Sequence, residues 1–315
     1  MDYKNGYFRS NKLEKIIEFY NSFENRSQLI EWMRELPKGS TKIHEIGGDG
    51  DIVVVIPTAN FNGKYAKECV NNIFKGLHMI FIESGEPPDP YFNYAHNVNL
   101  GLQLAFANKP KWVIISNDDM FKIDDISNLS KLLNEINNES HIILARKNGS
   151  YSSYYSFVSS LNVIGKFLKV ISWIVPLKSH TFSISSLYFL KKFDIRIIGI
   201  SKNEKKLKRI ITNKNMKIMN INNFSIFGYE FFKQYDGKLF DENFINGYED
   251  IDLTINLLEK GNQINFVDYK IGDYSGKSLG TSLDRSAREI ANLAYFNSKH
   301  PNLEKAIEKS EKMID

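Results

Sequence analysis

Cysteine is almost missing from this 315-residue chain: Cys69 stands alone. One thiol can form neither an internal disulfide framework nor a cysteine-based zinc site, and on a helical apolar pattern it reads as a small core residue, not a nucleophile. Net charge is scarce too. The formal balance is +4, with 41 Lys and Arg against 37 Asp and Glu, so no global basic field points to nucleic acid as a partner. Met1 to Ser10 is polar and lacks the apolar core of a signal peptide, which makes the cytoplasm the expected compartment. No glycine-rich phosphate loop follows the first apolar run, where Pro57-Thr58-Ala59-Asn60-Phe61-Asn62-Gly63 stands instead. That argues against a nucleotidyltransferase acting on sugar phosphates.

What is present is a folding composition: 42% hydrophobic, 13% aromatic and 25% charged residues, enough at this length for a sizeable core in one large domain or two small ones. Residues 1–50 read as a helical extension. Leu13, Ile16, Ile17 and Tyr20, then Leu29, Met33 and Leu36, fall at helical spacing before Pro37-Lys38-Gly39 breaks the pattern; such a pair covers a sheet edge or makes a contact in a homo-oligomer. From 51 to 149, apolar runs (Ile52–Ile56, Met79–Ile82, Trp112–Ile115, His141–Ala145) alternate with helical patterns. Continuous apolar strands separated by helices predict an α/β fold with a buried, mostly parallel sheet and right-handed crossovers. Ligands of such sheets bind beyond the carboxyl ends of the strands.

Residues 150–215 interrupt this rhythm with an amphipathic helical pattern, Phe157, Leu161, Ile164, Leu168, Ile171 and Val175, followed by a basic run from Lys202 to Lys217. Lysines interrupt the helix too often for a transmembrane span. Packing on the domain or on a second subunit, and a peripheral membrane seat through 151–176 anchored by Tyr151, Tyr154, Tyr155 and Trp173, both stay open. The basic run reads as a solvated face, with an anionic lipid or polyanion as the alternative. Sheet texture returns over 216–282, with a helix from Glu249 to the stop at Lys260-Gly261 and a strand at Ile264–Val267, and polar helices fill 283–315.

Two acidic stretches carry the chemistry. Asn117-Asp118-Asp119 follows the apolar run 112–115, at a strand end facing the crevice. Alternation along an extended segment puts Asn117 and Asp119 on one side. Magnesium or manganese uses one or two carboxylates and takes its other oxygens from water and phosphate. Asp119 therefore reads as the cation ligand and Asn117 as its helper; a triplet that merely turns the chain is the plain alternative. The second stretch is Phe240-Asp241-Glu242, followed by Gly247-Tyr248-Glu249-Asp250-Ile251-Asp252. Carboxylates in a helix's first turn are stabilised by its dipole whatever the function. Yet Glu249 and Asp252 share a face, while Asp250 points toward the helix start, where it could take a proton from a hydroxyl.

Together these residues resemble family 2 glycosyltransferases, nucleotide-sugar enzymes of the GT-A fold. Ile52 through Asn60 is similar to that family's opening strand, and Asn93-Tyr94-Ala95-His96-Asn97-Val98-Asn99-Leu100-Gly101-Leu102 to its asparagine- and glycine-containing helix start. Ile115 through Asp119 is similar to its Asp-x-Asp metal motif, and Phe240–Phe244 with Glu249–Leu253 to its acceptor-side signature. The resemblance covers 52–145 and 218–280. It implies a Rossmann-like, mostly parallel sheet flanked by helices, with 51–149 as the nucleotide-sugar half and 216–282 as the acceptor half. It implies a nucleotide-sugar pocket formed by Pro57, Thr58, Asn60, Glu83, Asn97 and Gly101 with Asn117 and Asp118, and Mn2+ or Mg2+ held on the diphosphate by Asp119. Asp250 would deprotonate the acceptor hydroxyl for an inverting displacement with Glu249 in support, and Asp241, Glu242 and Asp252 would lie on the acceptor side. The implied partners are a UDP-, GDP- or dTDP-sugar and a glycan, lipid-linked or protein-linked acceptor.

Three positions depart from the family pattern. Asn117 begins the metal motif in place of Asp, Glu83 replaces the more usual Asp, and Asp273, before Tyr274-Ser275-Gly276, has the spacing of a histidine that some relatives carry. Asp273 reads either as a supplement to the metal site or as a turn residue. The rival class is a non-catalytic nucleotide-sugar or glycan binder, which would bind with metal and turn nothing over.

Overall fold

A computed structural model of the chain describes residues 12–86, 89–136, 142–149, 151, 153–159, 188–195, 197–200, 215–219, 221, 223–235, 238–262, 264–274 and 283–303. The helices are α1 (Leu13–Asn21), α2 (Arg26–Glu35), α3 (Lys64–Glu68, continued by a π turn at Cys69–Ile73), α4 (Tyr94–Ala107), α5 (Ile126–Asn134), α6 (Tyr229–Lys233), α7 (Glu249–Glu259) and α8 (Leu283–Lys299). The strands are β1 (Lys42–Ile46), β2 (Asp49–Thr58), β3 (Leu77–Glu83), β4 (Trp112–Ser116), β5 (Met120–Lys122), β6 (Ile142–Lys147), β7 (Ser153–Ser159), β8 (Ile197–Ile200), β9 (Asn215–Met219), β10 (Phe224–Gly228) and β11 (Ile264–Asp273).

Eight strands form one sheet in the order β1-β3-β2-β4-β10-β6-β11-β5. β2 runs parallel to β3 and β4, and β6 parallel to β11, but β1/β3, β10/β4, β10/β6 and β11/β5 are antiparallel, four of the seven pairings. The mostly parallel sheet of the GT-A type that the resemblance implies is therefore corrected to an eight-stranded mixed sheet. The reason is visible in β10, which lies buried along its whole length between β4 and β6 while running against both. Continuous apolar character reports that both faces of a strand are covered; it does not report the strand's direction.

Alternation along β2 builds two layers. Val53 and Val55 pack with Val98 and Leu102 of α4, whereas Ile52, Val54 and Ile56 pack with Ala66, Cys69 and Ile73 on the other face. Asn93 caps α4 by accepting from the His96 N–H (2.8 Å), and Asp125 caps α5 through the Ser127 N–H (3.0 Å). A third cluster joins Ile16, Phe19, Leu29 and Met33 of α1 and α2 to Ile290 and Ala294 of α8, with Phe189 and Phe193. Tyr20 lies inside it, donating to the Ala287 carbonyl and accepting from the Ala291 N–H.

The helical pattern expected through Phe157 gives way at its start. Ser153–Ser159 is strand β7, antiparallel to both β8 and β9 in a separate three-stranded sheet, as its run of aromatic and β-branched residues favours. The remainder of that pattern and most of the basic run lie outside the described residues. No helix among the described residues is long and apolar enough to cross a membrane.

Candidate ligand-binding and catalytic site

Beyond the carboxyl ends of β2, β3 and β4 opens a cavity of about 430 Å3, within the range that holds small-molecule ligands. Pro57, Thr58 and Asn60 line it from the end of β2, and Asn117 and Asp118 from the end of β4. Lys64 and Tyr65 of α3, Ser84 and Glu86 after β3, and Phe92 and Tyr94 at the start of α4 complete most of the wall.

Three residues expected in this pocket are elsewhere. Glu83 bonds the His44 ring through Oε2 (2.7 Å) and accepts from the Phe61 N–H through Oε1 (3.2 Å), while His44 stacks on Phe61. It therefore ties β1 to the loop after β2, and the His44 contact helps hold its carboxyl below the usual range. Asn97 is buried within α4. Gly101 packs so tightly on the sheet that a Cβ would lie 2.4 Å from Val55 Cγ1. The glycine permits helix–sheet contact; it does not shape the cavity.

Residues 117–119 form a bend, so alternation does not govern them. Asn117 and Asp118, not Asn117 and Asp119, line the cavity. Thr58 Oγ1 donates to Asp118 Oδ2 (2.6 Å). Burial pushes the Asp118 carboxyl up to about 6, with the Asp119 charge adding to it and the Thr58 bond opposing it. Asp119 is buried at 2% exposure, and its carbonyl accepts from the Tyr274 N–H (3.2 Å).

Among the described residues no three His, Cys, Asp or Glu side chains gather into a ready-made cation site. Of the two adjacent carboxylates Asp118 lines the cavity, and a hard cation held there would draw most of its oxygens from water and phosphate. Asp273 lies close by through the pairing of β11 with β5, but Lys147 Nζ (2.9 Å) and Asn223 Nδ2 (3.0 Å) both hold its Oδ2. Its charge is thus matched by an ammonium.

Tyr94 connects the two acidic stretches, its side chain bonding the first and its backbone N–H bonding Asn246 just before the second. Its hydroxyl donates to Asn117 Oδ1 (3.2 Å). Burial first, then the charges of Glu249, Asp250 and Asp119, raise its pKa so far that it stays a neutral phenol. Glu249 is buried and Asp250 half-buried at the start of α7, where the Ile251 N–H donates to Asp250 Oδ1 (2.8 Å). Tyr248 immediately before them has φ 73° and Asn246 has φ 48°, left-handed values unusual for a bulky residue such as Tyr248.

Comparison with known proteins gives no match, either to a family model or to a curated protein. The site's chemistry is therefore read from its own geometry.

The loop 240–248 that delivers Glu249 and Asp250 is held by amide side chains. Asn99 donates to the Phe240 carbonyl (2.8 Å) and to Glu242 Oε1 (3.0 Å), and accepts from the Phe240 N–H (3.0 Å). Asn93 donates to the Glu242 and Phe244 carbonyls, Asn292 pairs with both backbone groups of Ile245, and Asn246 Oδ1 receives the Tyr94 N–H. The carboxylates expected on an acceptor side are engaged internally. Glu242 bonds Asn99 and His96; burial raises its carboxyl, but these bonds and Lys38 leave it below the usual range. Asp241 bonds Tyr295 and Lys299, and Asp252 bonds Lys299 (2.8 Å) and His300 (2.7 Å). A second cavity, of about 340 Å3, lies between these residues and Lys238, Lys260 and Asn256.

Lys64, Tyr65 and Tyr94 were not singled out as cavity residues from sequence. Tyr94 sits inside the asparagine-rich helix start, where only Asn97 and Gly101 were read as pocket residues.

Proposed function

We propose that the protein transfers a sugar from a nucleoside-diphosphate sugar to an acceptor hydroxyl, in the cytoplasm. The observation supporting this reading is Tyr94 at the wall of the 430 Å3 cavity, which bonds Asn117 through its hydroxyl and Asn246, just before Glu249 and Asp250, through its backbone, and whose hydroxyl is within reach of the Glu249, Asp250 and Asp119 charges. A base needs a carboxylate near the reacting hydroxyl, and a diphosphate leaving group needs positive charge.

Phe92, Tyr65 and Tyr94 offer aromatic faces to a nucleobase and exclude water from the cavity wall. Lys64 places an ammonium at the same wall for phosphate oxygens. Asp118, with the buried Asp119 charge behind it, would hold a divalent cation, which when bound supplies neutralisation of the charge that develops on the leaving diphosphate. Asp250 takes the proton of the attacking acceptor hydroxyl, and Glu249, buried beside it, holds the local field. The acceptor is a glycan or a lipid-linked hydroxyl, approaching from the side of the 240–248 loop.

A thermal-shift screen with UDP-, GDP- and dTDP-sugars, with and without Mn2+, tests the donor assignment, because a ligand bound only by the folded state raises the melting temperature. A rise of several degrees for one nucleotide class is expected. Release of nucleoside diphosphate from that donor should then be seen in wild type and fall at least a hundredfold in Asp250→Asn, with nucleotide binding kept. Binding without turnover on any acceptor would instead make this a nucleotide-sugar binder.

A further inference from the structure

Asn117 lines the cavity at the end of β4, with its side-chain oxygen turned to Tyr94. The Tyr94 hydroxyl, at the cavity wall, has a single hydrogen to give. It donates to Asn117 Oδ1. Tyr94 is itself fixed at both ends, its backbone N–H on Asn246 Oδ1 (2.8 Å) and its ring edge-on to Phe240 (6.3 Å between centroids). With the oxygen turned toward Tyr94, Asn117 is left with its Nδ2 amide hydrogens for the cavity it lines, and no other group among the described residues bonds that amide.

Resting on the nucleotide-sugar reading, we propose that Asn117 is a hydrogen-bond donor to the diphosphate of the ligand, oriented by Tyr94, and not a ligand of the cation. A neutral N–H donor beside Asp118 and Asp119 gains an oxygen contact on the phosphates without adding a third negative charge to repel them. The site would consequently keep substantial affinity for a nucleoside diphosphate when the metal is removed. Tyr94 is then a positioning residue: it touches Asn117, and through its backbone it also ties the Asn117 side of the cavity to the loop carrying Asp250.

The test is titration of wild type and variants with UDP, GDP and dTDP, in EDTA and in saturating Mn2+, by calorimetry or ligand-induced melting shift. Asn117→Ala should weaken the preferred diphosphate about tenfold, by a similar factor in both media. Asn117→Asp should weaken it more in EDTA than in Mn2+, because a carboxylate there repels phosphate until a cation screens it. Tyr94→Phe, which keeps the ring and hence the packing, should weaken binding several-fold alone and add almost nothing on an Asn117→Ala background. If Asn117→Ala left binding in EDTA unchanged and raised only the Mn2+ concentration needed, Asn117 would be a cation ligand and the proposal would fall. Full additivity of Tyr94→Phe and Asn117→Ala would remove Tyr94 from the assignment. Absence of any diphosphate binding by wild type would overturn the nucleotide-sugar reading itself, an outcome distinct from both.

Discussion

At Gly101 an added methyl would meet Val55 Cγ1 at 2.4 Å and Ile82 Cγ1 at 3.2 Å, both on buried strands that cannot withdraw. Overpacking of this kind costs about 1–3 kcal/mol, and alanine returns only about 1 kcal/mol through its better helix propensity. Gly101→Ala is therefore expected to lower the melting temperature by a few degrees without changing nucleotide affinity, a pairing that separates a packing glycine from a pocket glycine. The lone cysteine permits a second measurement. Burial, reinforced by the Asp118, Glu68 and Asp119 charges, raises the Cys69 thiol well above its usual pKa, so thiolate is scarce. Native protein at pH 8 should react with a thiol-specific chromogen far more slowly than protein in urea; rapid native labelling would show that the face joining α3 to the sheet opens.

Among the elements, the loop 240–248 depends most on side chains distant in sequence. Asn99→Ala strands the N–H and carbonyl of Phe240 and removes one partner of Glu242. Leaving buried polar groups without partners costs about 1–3 kcal/mol. The variant should lose stability by that order in urea unfolding, and under the proposed function should lose kcat more than donor affinity, because the loop leads to Asp250 while the nucleotide wall stands on β2, β3 and β4. This loop also marks the boundary of what could be read from sequence. The runs at Ile52–Ile56, Met79–Ile82 and Trp112–Ile115 are recovered as β2, β3 and β4, and the helix beginning at Glu249 as α7, because hydrophobic period and stop signals are local. The antiparallel course of β10 was not legible, since burial on both faces looks the same in either direction. Nor was the use of Asn93 and Asn99 as clamps, or the capture of Asp273 by Lys147, because polar partners are chosen by tertiary placement.

For the whole molecule, α7 and α8 are joined by a charge network of Lys299 with Asp241 and Asp252, closed by His300. Burial raises the Asp241 carboxyl, but Lys299 and the Asn243 backbone outweigh it and hold its pKa below the usual range. A depressed folded-state pKa contributes stability above the unfolded value, about 3.9 for Asp, and that contribution is lost as pH falls through the folded value. Burial lowers the Lys299 pKa, yet Asp252 and Asp241 together leave it raised, so its contribution is lost only as pH rises above its ordinary alkaline value. On the part of Asp241 and Lys299 the melting temperature should stay level from pH 5 to pH 9 and drop below about pH 4. Lys299→Met should melt lower at pH 7 and show a shallower acid limb; an unchanged limb would assign the acid sensitivity to other carboxylates. The packing of α1 on α8 bears on a different stage of the protein's life. The Tyr20 hydroxyl finds its partners at Ala287 and Ala291, 267 and 271 positions later. During synthesis at roughly 5–20 residues per second, the apolar face of the first helix waits roughly 15–50 s for the strip that covers it. Until then α2, through Trp32 against Phe19 and Phe23, is at hand to shield that face.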